Sequence, residues 1–155
     1  MDAILKKLNF KQQAEILVLR APENLASLFA EWKKQTAISE KVKKTVEFAV
    51  VFCITQKDVD SAAQAILPKA QGEAIIWFCY PKGTSKRYRC EFNRDNGWKV
   101  PGKLGWEPVR MVAIDEDWSA LRFRRVEFLK KMTRKSAISK AGKSRIAGSR
   151  ATETT

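Results

Sequence analysis

Residues 73–88 read EAIIWFCYPKGTSKRY. The run Ala74–Tyr80 is apolar on both of its alternating faces, rich in β-branched and aromatic residues, and stopped by Pro81 and Gly83. A parallel strand with helices on both sides needs that composition, because neither face meets water. The signature recurs upstream in ILVL (16–19) and VEFAVVFCIT (46–55). Between these runs the period changes. PENLASLFAEWKK (22–34) spaces Leu25, Leu28, Phe29 and Trp32 as one helical stripe, with Pro22 and Glu23 suited to a first turn. QKDVDSAAQAILPKA (56–70) does the same with Val59, Ala62, Ala63 and Ile66.

Working outward, DAILKKLNF (2–10) has the spacing of a short amphipathic helix, and TAISEKV (36–42) is a weak edge strand. EPVRMVAIDED (107–117) and WSALRFRRV (118–126) alternate like strands, and Asp115–Trp118 separates them at hairpin spacing. SKRYRCEFNRDNGWKVPGKLGW (85–106) reads as a helix or two around a Gly/Pro-broken loop, and VEFLKKMTRK as a closing helix. The expected fold is α/β: a three-layer, Rossmann-like, mostly parallel sheet in the order 2-1-3-4-6-5, with the last strand antiparallel and helices on both faces. Residues 1–132 form one such domain, and 133–155 read as a basic disordered tail without periodic apolar residues.

Composition removes several chemistries. The chain has 155 residues, 30 basic against 17 acidic, and no histidine, which excludes Ser-His-Asp and Cys-His nucleophile systems and His-based metal sites. Cys53, Cys79 and Cys90 form no CxxC pair and read as buried reduced thiols. No run of about 18 apolar residues occurs, and the opening MDAILKKLNFKQQ is too polar for a secretory signal, so the cytoplasm is the expected compartment, without a membrane partner. Residues 130–155 carry eight basic residues against Glu153, about half of the net charge of +13.

VLRAPENL, FAVVFCIT, AIIWFCYPKGTSK and GWEPVRMVAIDEDWSALRFRR together resemble the bacterial domain-of-unknown-function family 3052, over roughly residues 8–125. The residues that carry the resemblance are Trp77, Pro81, Lys82, Asp115, Trp118, Ser119, Leu121, Arg122 and Phe123. The insertion RYRCEFNRDNGWKVPGK and the basic tail depart from that pattern, and the family has no established activity to carry over. More broadly the chain resembles a truncated class I methyltransferase core, in which AQGEAIIWFCYP is a later strand and an antiparallel hairpin closes the sheet. That resemblance implies a glycine-bearing cofactor loop after the first strand and an acid at the end of the second. Here the loop is RAPEN, without glycine, and only Glu40 stands near the second position. No cofactor is therefore expected.

In open α/β sheets ligands sit beyond the carboxyl ends of the strands. The expected site there gathers Arg20, Lys82, Gly83, Thr84, Ser85, Asp115, Trp118 and Ser119. Lys82–Ser85 offers an ammonium, a pliable backbone and two hydroxyls to an anion, though not in the GxxxxGK[ST] spacing of a P-loop. The competing reading makes Pro81 a strand end, Gly83 a turn, and Thr84 or Ser85 a helix cap. Asp115–Glu116–Asp117 reads as a solvated turn sooner than a cation site, with Asp115 or Asp117 paired to Arg122 or Lys82 and with Trp118 and Ser119 fixing the turn. The leading functional expectation is a non-catalytic binding or regulatory module for an anionic small molecule or a partner. The alternative is a nucleic-acid-associated protein using Arg87, Arg89, Trp98 and Lys99, with Tyr88 adding stacking, and the tail residues Arg134, Lys135, Lys140, Lys143 and Arg145. A divergent methyltransferase-like enzyme is the less favoured third.

Overall fold

The computed structural model describes residues 2–93 and 95–129. Six strands form one sheet: β1 (Glu15–Leu19), β2 (Ala37–Ser39), β3 (Val46–Phe52), β4 (Ala70–Pro81), β5 (Trp106–Ala113) and β6 (Trp118–Arg125). Their order is β2-β1-β3-β4-β6-β5; the first four run parallel and β6 is antiparallel to both neighbours. This is the expected α/β, Rossmann-like order. The apolar runs that predicted two-sided burial occupy the centre: Phe48–Phe52 and Ile75–Tyr80 are buried on both faces.

Helices α1 (Ala3–Lys7) and α2 (Ala26–Trp32) cover one face, and α3 (Gln56–Ile66) with α4 (Lys99–Lys103) the other. Asp2 ties the first pair together. Its Oδ1 caps α1 by accepting from the amides of Ile4 and Leu5 (2.9 and 3.1 Å), and it also accepts from the Trp32 indole (3.2 Å). Beneath them the fully buried Trp77 donates to the Leu8 carbonyl at 2.9 Å, so its indole N–H is satisfied.

Residues 82–98 differ from expectation. Among the described residues no helix begins directly after β4, and the only one before β5 is the five-residue α4. Ahead of α4, Gly97 sits at φ +90°, a turn conformation that glycine adopts without strain. The segment instead crosses the carboxyl ends of β3 and β4. Tyr88 packs on the α1/α2 face against Trp118, with centroids 4.9 Å apart. Glu91 then donates its amide to the Ile54 carbonyl, and Phe92 and Trp98 pack on the opposite face with Tyr80. Of the stretch expected to form a closing helix, Val126–Phe128 is a 3-10 turn; residues 130–135 and the basic tail lie outside the described residues. No helix among the described residues is long and apolar enough to cross a membrane.

Candidate functional site

The crossing segment roofs a cavity of about 520 Å³ at the carboxyl edge of the sheet. The loop after β1 supplies Arg20 to Asn24, the end of β3 supplies Phe52 and Ile54, α3 supplies Asp58, the crossing segment Arg87 and Tyr88, and β6 Trp118. Aromatic rings build its inner wall: Trp118 meets Phe52 at 5.0 Å and Tyr88 at 4.9 Å. The Tyr88 hydroxyl donates to Asn24 Oδ1 at 2.8 Å, tying the crossing segment to the β1 loop. Trp118 is 1% exposed, yet its indole N–H has no acceptor. A buried donor without a partner costs about 1–3 kcal/mol.

The rim is charged and braced. Arg20 adopts φ +56°, a left-handed conformation that costs a non-glycine residue about 1–2 kcal/mol. Its guanidinium pairs with Asp58 (Nε–Oδ1 3.1 Å) and donates to Ser61 Oγ (3.2 Å). Asp58 completes a capping box with Thr55, and its Oδ2 accepts from the amides of Ile54 and Thr55 (3.0 and 3.1 Å). Partial burial pushes the Asp58 carboxyl up, but the two amides, Arg20 and the Thr55 hydroxyl outweigh it and hold the group below its ordinary range.

Of the expected site residues, the structure brings Arg20 and Trp118 to the cavity. Lys82, Gly83, Thr84 and Ser85 form a turn beside it and do not line it; the Ser85 amide donates to the Lys82 carbonyl at 3.0 Å. Ser85 caps no helix, because none begins there. Its hydroxyl donates to Asp117 Oδ1 (2.8 Å) and accepts from the amides of Arg87 and Tyr88, shaping the crossing segment. Asp117 pairs with Arg87 at 3.6 Å, not with Arg122 or Lys82; Lys82 meets it only through a backbone bond to its carbonyl. Asp115 fixes the hairpin turn, its Oδ1 accepting from the amides of Asp117 and Trp118, both at 2.8 Å. Ser119 is buried within β6 opposite Tyr80 and does not reach the cavity.

The residues proposed to stack on nucleic acid divide. Arg87, Arg89 and Lys99 are exposed, but Trp98 is buried among Phe78, Phe92 and Phe123 and donates to the Asn93 carbonyl, so it offers no open ring. Tyr88 is half-buried against Trp118. Arg134, Lys135, Lys140, Lys143 and Arg145 lie outside the described residues. The sequence reading missed Phe52, Ile54 and Asp58 as lining residues. The TQKD step at 55–58, a cap followed three residues later by a carboxylate, was the available signal for Asp58.

A second cavity, of about 380 Å³, opens at the opposite edge between Leu67, Leu104 and Trp106. Its arginine, Arg125, already bonds the Ala70 carbonyl and lies over the Trp106 ring at 5.3 Å, so it is committed to structure.

No protein-family model and no curated protein matches the chain. Among solved structures it is similar to the pyocyanin biosynthetic protein PhzM (10% identity, 79% of this chain and 53% of that one, TM-score 0.49) and to TehB from Haemophilus influenzae (10%, 79% and 61%, 0.44). The chain thus spans little more than half the length of either. Likeness at this level transfers no activity.

Proposed function

We propose that the chain is a small-molecule binding module whose ligand occupies the carboxyl-edge cavity. The ligand has a planar apolar body that lies against Phe52, Tyr88 and Trp118, and an anionic or carbonyl acceptor that meets the Trp118 N–H and the guanidinium of Arg87 or Arg20. The observation that carries this reading is the unpartnered, buried Trp118 indole N–H in the wall of an aromatic cavity. The arrangement favours binding over catalysis. Asp58, the carboxylate held deepest in the rim, is committed to two amides and Arg20 and kept ionised, which makes it a weak base.

Methyl transfer from S-adenosylmethionine is the reading the class I resemblance would suggest, and the residues do not fit that cofactor. The left-handed position after β1, where a glycine would let the cofactor approach the backbone, holds Arg20 with its side chain anchored to α3. The acid near the end of β2, Glu40, is exposed and lies outside the cavity lining.

The test is a thermal-shift panel of nucleotides, S-adenosylmethionine, sugar phosphates and aromatic carboxylates on wild type and Trp118→Phe. Ligand at about 100 times its dissociation constant adds roughly 2.7 kcal/mol of stability. Trp118→Phe keeps the ring against Phe52 and Tyr88 but loses one hydrogen bond, so affinity falls up to about tenfold. A hit whose affinity Trp118→Phe leaves unchanged removes the carrying observation.

A further inference from the structure

Away from the cavity, on the α1-side face of the β5–β6 hairpin, three arginines stand together. Arg110 and Arg122 are directly paired across the two strands, and Arg124 follows two residues along β6 on the same face. Like charges placed opposite one another are unfavourable, and hairpins ordinarily avoid them. Here the cluster is only partly neutralised. Glu73 pairs with Arg124, and Glu107 is buried in register with Arg124. Neither the Arg110 nor the Arg122 side chain has a hydrogen bond or ion pair among the described residues, and the Arg122 Nε–H is buried without an acceptor. Trp77, next to Arg122 in the sheet, gives the patch an apolar floor. Burial, then Arg124 and Arg110, lower the pKa of Arg122, the direction expected of a guanidinium short of counter-charge.

We infer that the Arg110–Arg122 pair, flanked by Arg124, is an anion site for a phosphate group. Two guanidiniums on facing strands are within reach of one tetrahedral dianion, each able to offer it a fork of N–H donors. The phosphate would give the Arg122 Nε–H its missing acceptor and relieve the cross-strand repulsion. The phosphate can belong to a small metabolite or to a nucleic-acid backbone, since both present the same oxygens.

The experiment follows the Nε–Hε resonances of arginine in ¹⁵N-labelled full-length protein during titration with pyrophosphate and, separately, with a short oligothymidylate. The variants are Arg110→Gln, Arg122→Gln and, as a control in the carboxyl-edge cavity, Arg87→Gln. The expected result is a saturable shift of the Arg122 resonance in wild type and Arg87→Gln, with affinity about tenfold weaker in Arg110→Gln. Tighter, steeply salt-dependent binding of the oligonucleotide identifies a backbone phosphate; equal or better binding of pyrophosphate identifies a small phosphate ligand. Arg110 is exposed, so its substitution tests the site even where Arg122→Gln fails to fold. No shift with either probe, or one that is linear in concentration and unchanged by Arg110→Gln, overturns the site. Either result leaves the carboxyl-edge cavity untouched, because that reading is tested through Trp118.

Discussion

Asp58→Asn is the substitution that reaches both the fold and the candidate site. One carboxylate oxygen accepts from the amides of Ile54 and Thr55, and the other forms an ion pair with Arg20 Nε at 3.1 Å. Asparagine keeps one acceptor and turns the other into an N–H₂ donor facing a donor. Loss of half the capping box costs about 1 kcal/mol. The partly exposed Arg20 pair adds no more than about 1 kcal/mol, so the expected destabilisation is about 1–2 kcal/mol, measured by urea unfolding at pH 7. The charge fixes the pH dependence. The folded-state pKa of Asp58 lies below its ordinary value of 3.8, so its ionised form stabilises the fold above that value. The contribution is lost as pH falls through the depressed folded-state pKa. The gap between wild type and Asp58→Asn should therefore be constant from pH 7 to pH 5 and narrow below 3.8. A gap under about 0.3 kcal/mol at pH 7, or one that does not narrow in acid, would refute the account of Asp58 as a charged brace.

Two further outcomes follow from local geometry. Gly97→Ala would put a Cβ 2.7 Å from the Phe92 Cβ at φ +90°, and should destabilise the chain by about 2 kcal/mol or more in the same unfolding assay, with loss of the packing of Trp98 on Phe78. Cys53 and Cys79 are buried and their thiol pKa values are raised, mainly by burial; the Cys90 thiol is raised too, by the same cause, but Cys90 is only half-buried. Iodoacetamide at pH 8 should therefore label Cys90 first, and the other two only on unfolding, as peptide mass mapping would show.

The sheet was legible because its central strands announce two-sided burial: ILVL, FAVVF and AIIWFCY admit few other readings, and the four-residue spacer at Asp115 fixes the hairpin. Topology directed attention to the carboxyl edge, and Arg20 and Trp118 both line the cavity there. The roof was not legible. Tyr88 and Trp98 stand ten residues apart in a polar, Gly/Pro-broken stretch, and no period in the sequence tells which face either ring takes. The Ser85–Asp117 bond and the turn at Gly97 send them to opposite faces of the sheet. Composition also hid the arginine cluster. Alternation in RFRR reads as one wet face, and only the pairing register sets Arg110 against Arg122.

Arg20 shows how a familiar sheet can carry an unfamiliar site. At the end of the first strand a backbone turn needs a left-handed residue, and glycine would fill it without strain while leaving the space above it open. Arginine accepts the strain and fills that space with a guanidinium, whose pairing with Asp58 and Ser61 helps hold the conformation. The same carboxylate caps α3, so the strained loop and the helix that borders the cavity share one anchor. In the proposed binding mode, recognition at this edge would rest on side chains in place of backbone: Arg20 and Arg87 for charge, with Asn24 and Tyr88 closing the cavity and Trp118 in its wall. The Arg20 side chain occupies the approach a glycine loop would leave open, and the proposed flat, acceptor-bearing anion would meet arginines and rings in its place.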